Sequence, residues 1–396
     1  MSFADEDNRT MEGQPPKREV RAKLCVPNQT SLEECGERIR QGKLVAFPTE
    51  TVYGLGADAT NEDAVRSIFA AKERPFTDPV IVHVSSVPMA LKCLKPSKER
   101  DFVGKAGEVL WPGPLTMIGP VEETYIPLMV GSGTGSIGVR YPAHKLAQEL
   151  IRVSDRPIAA PSANKFMHVS PTKGSHVFDD LKYEDVAILD GEMSDLGVES
   201  TVIKIDYVGP HYKVTLLRTG TFDFSEIQSK IQSIAEFSET EFVVLKKRVT
   251  NTEHDVAVAP GQLLKHYSPY VQAFLISRIE SSVAKEQSLI LMEADMQTLG
   301  VIDFAGHNKE LKDKVKLYTD LDESGDYKAA MKKLYDELRN AEQREHGLKS
   351  ILLVNLQKIL PERELALNTL ADKTFRSASG VEIYYDEHQR FYSKPT

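Results

Sequence analysis

Cysteine is scarce in this chain. Only Cys25, Cys35 and Cys93 occur, in no C-x-x-C pair and in an odd number. That excludes a disulfide framework or a cysteine-rich zinc site and suits a reducing compartment. Long apolar runs are missing as well, with nothing near the ~20 residues a membrane helix requires, so no bilayer span is expected. A basic surplus is the third absence: 49 lysines and arginines face 58 aspartates and glutamates, a net −9. Bulk charge of that sign repels nucleic acid. Familiar catalytic signatures are absent too. There is no G-x-x-x-x-G-K-[ST] phosphate loop and no H-E-x-x-H, and Gly131, Gly133, Gly135 and Gly138 do not form G-x-S-x-G.

What is present is a chain of 396 residues, too long for one ordinary domain and comfortable for two. Its 41% hydrophobic and 27% charged residues are the balance of a soluble globular protein. Residues 1–30 are polar, with Asp5, Glu6 and Asp7 at the front and Pro15-Pro16 behind. This reads as a flexible tail on a cytoplasmic protein, since presequences avoid acids and secretory signals need an apolar core. Order is expected from Ser31, where Ser-Leu-Glu-Glu resembles a capping box, with Gly42 ending the helix.

From residue 31 to 245 short β-rich runs alternate with amphipathic helices. Strands are expected at 44–47, 80–84, 116–119, 137–140, 186–189, 201–205 and 214–217, and helices at 62–72, 144–153 and 224–234. Because some strands follow one another directly, the sheet should be mixed and twisted rather than purely parallel. Residues 246–272 break the rhythm with Lys246-Lys247-Arg248 and later Ala-Pro-Gly and Tyr-Ser-Pro, which reads as a linker. Residues 273–396 follow as a smaller unit. Strands near 271–276, 288–292, 316–318 and 350–355, with helices at 327–345 and 365–377, point to a Rossmann-like, doubly wound α/β domain.

Seven turn-like segments at strand ends are rich in hydroxyls, glycine or a single cation. The first is Pro-Thr-Glu-Thr-Val-Tyr-Gly-Leu-Gly at 48–56, with the hydroxyls of Thr49 and Thr51. The second is Lys72-Glu-Arg74-Pro; in extended chain its two cations point the same way, and such a pair suits phosphate. The third, Trp111-Pro-Gly-Pro, holds the single tryptophan as an anchor. The fourth, Ser136-Ile-Gly-Val-Arg140, ends an apolar strand on an arginine that needs an anion or a partner. Ser162 and Asn164 stand two apart in the fifth, Glu199-Ser200-Thr201 is the sixth, and Leu217-Arg218-Thr-Gly-Thr the seventh. His83 lies inside a β-branched strand, where histidine is more often a satisfied core residue.

Taken together and in this order, these segments resemble the YrdC family, and the chain as a whole resembles its longer branch, the L-threonylcarbamoyl-AMP synthases with an appended C-terminal domain. The resemblance covers residues 30 to 245, continues through Ala259-Pro-Gly-Gln-Leu-Leu-Lys-His-Tyr-Ser-Pro, and then narrows to architecture. It implies a YrdC-like catalytic domain and a nucleotidyltransferase that makes threonylcarbamoyl-adenylate and pyrophosphate from L-threonine, bicarbonate and ATP. The product would pass to a tRNA threonylcarbamoyl transferase complex. Carried over residue by residue, Thr51, His83, Arg140, Ser162 and Ser200 would surround threonine. Lys72 and Arg74 would be catalytic and hold ATP together with Asp78, Ser136, Asn164, Ser170 and Arg218. His266 and Tyr267 would reach back from the linker. Mg2+ is expected with the nucleotide, its ligands unnamed by the sequence. The chain departs from the pattern after Ser162-Ala-Asn, where Phe166-Met-His replace a Ser-Gly turn, and at Thr219 and Asp78.

Two other readings compete. An RNA-binding YrdC-type module without nucleotidyl transfer would need dispersed cations. Residues 31–245 instead carry 22 lysines and arginines against 30 acids, a net −8. A carbamoyl transferase of the hydrogenase-maturation type would carry cysteine-rich segments that are absent here. No tight nucleic-acid binding and no membrane partner is expected.

Overall fold

The structure is a computed structural model that describes residues 19–245, 259, 266–361, 364 and 368–395. The front of the expected tail, most of the linker signature and the start of the helix expected at Leu365 lie outside the described residues.

Eleven strands make the first sheet: Lys23–Cys25 (β1), Leu44–Phe47 (β2), Gly54–Asp58 (β3), Ile81–His83 (β4), Leu115–Pro120 (β5), Ser136–Arg140 (β6), Ile158–Ala160 (β7), Val186–Leu189 (β8), Thr201–Val208 (β9), His211–Arg218 (β10) and Glu241–Val244 (β11). Their spatial order is β1-β8-β2-β3-β7-β4-β6-β5-β9-β10-β11. The pairing is mixed: β4 runs parallel to β6, while β2 with β3 and β9 with β10 are antiparallel. Order begins earlier than the composition implied, because β1 pairs in parallel with β8. The first helix is Gln29–Arg40, and its cap is Asn28, with Ser31 as the reciprocal third residue rather than the cap itself.

The helix Glu62–Lys72 shows why the alternation was readable. Asn61 caps it by accepting from the amides of Asp63 and Ala64, two acids occupy its first turn, and Ala64, Val65, Ile68 and Phe69 form the buried stripe. Two helices stand where none was expected: Lys98–Leu110 buries its stripe over β5 and β9, and Val87–Cys93 packs against it and β6.

The second sheet has seven strands: Gln272–Arg278 (β12), Ile290–Met292 (β13), Leu299–Asp303 (β14), Leu317–Asp320 (β15), Ser350–Val354 (β16), Glu382–Tyr385 (β17) and Phe391–Ser393 (β18). The order is β13-β18-β17-β12-β16-β14-β15, parallel from β17 through β15 and antiparallel at the β18 and β13 edge. The helices Tyr327–Ala341 and Thr369–Ser377 are the crossovers that lead into β16 and β17. This is the doubly wound arrangement with an antiparallel edge.

The two sheets share an apolar seam. Val52, Val169 and Val198, from loops of the first sheet, belong to the same buried cluster as Leu334, Tyr335 and Leu370 of the second. At Gly197, in a loop of the first half with φ +75, a Cβ would fall 2.5 Å from the carbonyl oxygen of Lys332. A bare Cα therefore lets backbone meet backbone across the seam.

Candidate active site

A cleft opens on one face of the first sheet beside this seam. Cross-strand register tiles its floor: His83 pairs with Arg140 and Ile81 with Ala160, and Ile81 and His83 point to the same face two residues apart. The Pro48–Gly54 turn closes one wall, where Gly54 bridges to Ser162. Ser200, leading into β9, and Arg218, ending β10, close another, and His266 and Tyr267 also line the cleft.

Nine residues singled out in the sequence meet here: Thr51, Arg74, His83, Arg140, Ser162, Ser200, Arg218, His266 and Tyr267 all line the cleft. The others are placed differently. Lys72 and Arg74 do not point the same way, because the chain turns between them through a left-handed Glu73, φ 58. Arg74 faces the cleft. Lys72 goes behind its wall, with Nζ donating to the carbonyls of Ser162, at 2.6 Å, and Asn164. Asn164 likewise does not follow Ser162 into the lining; its amide nitrogen donates to the carbonyls of Lys165 and His168. Ser170 donates to Glu199 at 2.6 Å. Asp78 sits against Arg74 at 2.9 Å. Ser136 starts the strand that Arg140 ends and is absent from the lining.

Every cation of the cleft is held by protein groups. Arg140 forms a 2.7 Å ion pair with Glu50 and donates to Thr51 Oγ1 at 2.9 Å. Arg218 donates to the Ser200 carbonyl and hydroxyl, each at 3.1 Å. Burial pushes the Arg74 guanidinium below its usual range while the Asp78 carboxylate holds it up. His83 is driven down to about 3 by burial and then by Arg140, so it is neutral at physiological pH, and its Nδ1 has no hydrogen-bond partner among the described residues. Burial and the surrounding cations push His266 far down as well. Among the described residues neither Ser162 nor Ser200 is hydrogen-bonded to a general base: the Ser200 hydroxyl is shared with Thr116 Oγ1 at 2.8 Å. The described lining is thus an anion-receptive surface with hydroxyls and shows no activated nucleophile.

Residues 37–220 match the Sua5/YciO/YrdC family, described as "Telomere recombination", and residues 226–379 match "Threonylcarbamoyl-AMP synthase, C-terminal domain". A threonylcarbamoyl-AMP synthase of Pyrococcus abyssi is 37% identical over 275 residues, 69% of this chain and 76% of that protein. The chain belongs to the threonylcarbamoyl-AMP synthase family. A Schizosaccharomyces pombe relative of the same name is 37% identical over 281 residues, 65% of this chain and 67% of its own. Sua5 of P. abyssi complexed with L-threonine superposes with a TM-score of 0.70 at 30% identity, covering 91% of this chain and 98% of that one. Like the synthases it groups with, the chain is a nucleotidyltransferase-type enzyme, and its fold is a YrdC-like domain followed by the C-terminal α/β domain.

Four residues of this synthase fold, Glu50, Glu199, Tyr335 and Lys373, were given no role by the sequence reading. Glu50, inside the first motif, proves to be the partner that Arg140 required. Glu199 lines the cleft and is reached from the second half by Tyr335, whose hydroxyl donates at 3.0 Å, and by Lys373 at 3.3 Å. No local signal in the sequence marks those two. Among the described residues no three His, Cys, Asp or Glu side chains converge on a metal site. The carboxylates closest to the chemistry, Glu50, Asp78 and Glu199, are each engaged by a cation.

Proposed function

We propose that this enzyme condenses L-threonine, bicarbonate and ATP into threonylcarbamoyl-AMP and pyrophosphate, for threonylcarbamoyladenosine modification of tRNA. The observation that carries this reading is the convergence of Arg74, Arg140 and Arg218 with the hydroxyls of Thr51, Ser162 and Ser200 in one cleft. Such a set accommodates an amino-acid carboxylate and a polyphosphate side by side.

The chemistry needs position more than covalent help. The threonine amine adds to the bicarbonate carbon with loss of water and gives a carbamate. A carbamate oxygen then attacks the α-phosphorus, and pyrophosphate leaves with the electrons of the broken P–O bond. Arg140, its charge shared with Glu50, would meet the threonine carboxylate, with Thr51, Ser162 and Ser200 around the side chain and neutral His83 on the floor. Arg74 and Arg218 would meet the phosphates, where charge develops in the transition state. Lys72, Asn164 and Ser170 would keep the wall in shape from behind, while His266 and Tyr267 would cover the reactants and limit water. Magnesium enters as part of the nucleotide substrate.

Incubation with labelled bicarbonate, L-threonine and ATP should transfer the label to an adenylate that chromatographs as threonylcarbamoyl-AMP. Label that stays in bicarbonate while pyrophosphate is released would overturn the reading.

A further inference from the structure

Behind the cleft wall lies a charged cluster that the mechanism above does not use. Lys373, on the helix Thr369–Ser377 of the second half, is completely buried. Its Nζ lies 3.3 Å from Glu199 Oε2 and 3.6 Å from Asp372 Oδ2. It also stands 4.5 Å over the Tyr267 ring and 3.5 Å from the Tyr267 hydroxyl. Glu199 takes further hydrogen bonds from Ser170 Oγ at 2.6 Å and Tyr335 OH at 3.0 Å. Asp372 is held by Arg376 at 3.1 Å. A buried ammonium is costly unless it is paired, and this one is placed where two cleft-lining residues, Glu199 and Tyr267, meet.

We propose that Lys373 is a positioning residue for nucleotide binding, cancelling the Glu199 carboxylate from behind the wall and seating the Tyr267 ring. Glu199 borders the same cleft as Arg74 and Arg218. An uncompensated carboxylate there would repel a triphosphate and compete for Arg218, the other cation whose charge acts on Glu199. With Lys373 behind it, the wall facing the ligand stays cationic. The second half of the chain therefore contributes to the site through one ammonium, in addition to the linker segment at His266 and Tyr267. This rests on the ATP reading of the cleft and goes beyond it by naming what keeps the wall receptive to anions.

The test is steady-state pyrophosphate release by full-length wild type, Lys373→Met, Lys373→Arg, Glu199→Gln and the double variant Glu199→Gln/Lys373→Met. Lys373→Met should raise the KM for ATP about tenfold or more, with kcat and the KM for threonine changed less than threefold. Lys373→Arg should stay within threefold of wild type. The double variant, with neither charge, should recover most of the loss. Glu199→Gln should lower the KM for ATP. The opposite signs of Lys373→Met and Glu199→Gln are what a purely structural role would not produce. An unchanged KM for ATP in Lys373→Met, or a double variant no better than the single, would overturn the proposal. Should Lys373→Met fail to fold, Glu199→Gln decides alone, and an unchanged or raised KM for ATP would be contrary. Wild type that neither binds nor turns over ATP would remove the functional reading and this inference with it.

Discussion

At the scale of single residues, the buried cations explain both what the sequence disclosed and what it hid. An arginine ending an apolar strand has to find a negative partner, and that need was visible at Arg140. The partner was not, because Glu50 lies in a loop 90 residues away and only strand register brings the two to 2.7 Å. The pair is almost wholly buried, so removing one member strands the other. Arg140→Met should cost about 3–5 kcal/mol in urea unfolding. Glu50→Gln/Arg140→Met should recover most of that while the KM for threonine remains raised. An equally unstable double variant would mean that the loss comes from packing. Spacing was a poorer guide at the Lys72/Arg74 pair. Two cations two residues apart share a direction only in extended chain, and the left-handed Glu73 sends one behind the wall and the other into the cleft. Ser162 and Asn164 diverge for a similar reason, since the chain turns away after the bridge to Gly54.

At the scale of elements, apolar and β-branched runs such as Leu44–Phe47 and Val186–Leu189 made most strands legible, and one-sided apolar stripes the longer helices. Short elements were less so. Gly54–Asp58 and Ile158–Ala160 are rich in glycine and alanine and carry no such run. The seam between the halves was not legible at all, being assembled from side chains more than 100 residues apart, such as Tyr335 and Glu199. Its closest approach gives a direct test. Gly197→Ala places a methyl against the Lys332 backbone at a positive φ, where an L-residue is already strained. It should lower stability by about 1–2 kcal/mol and weaken activity together with it. Thermal unfolding with the wild-type midpoint would show that the two backbones separate freely. Truncation after Leu245 removes His266, Tyr267 and the whole seam while leaving the first-half motifs intact. It should abolish most activity, and full activity would reduce the linker to a tether.

For the whole molecule, net charge proved to be a poor description of the site. The first half is net −8, yet Arg74, Arg140 and Arg218 are gathered in one cleft. Charge also links the halves at His168, whose Nδ1 meets Asp180 at 2.8 Å and whose Nε2 meets Glu342 at 2.9 Å, with the Tyr270 ring stacked 4.0 Å away. Arg339 completes the cluster at 3.0 Å from Asp180. Burial alone would lower the imidazole, but hydrogen bonds to Asp180 and Glu342 outweigh it and raise it above 6.5. A raised value places this contribution fully below pH 6.5 and removes it as pH rises through the higher folded value. Asp180, held down against burial by His168 and Arg339, loses its share only as pH falls below the ordinary carboxylate range. His168→Gln should therefore destabilise by about 2 kcal/mol near pH 6 and progressively less toward alkaline pH, measured by urea unfolding. A pH-independent difference would show that the histidine stays neutral. Under the proposed function, the cleft, His266 and Tyr267, and the seam would position two anionic reactants without a covalent nucleophile. The most direct measurement of that claim is pyrophosphate release from ATP by the purified chain. Release should require both L-threonine and bicarbonate, with L-serine a poor substitute, and release indifferent to threonine would contradict it.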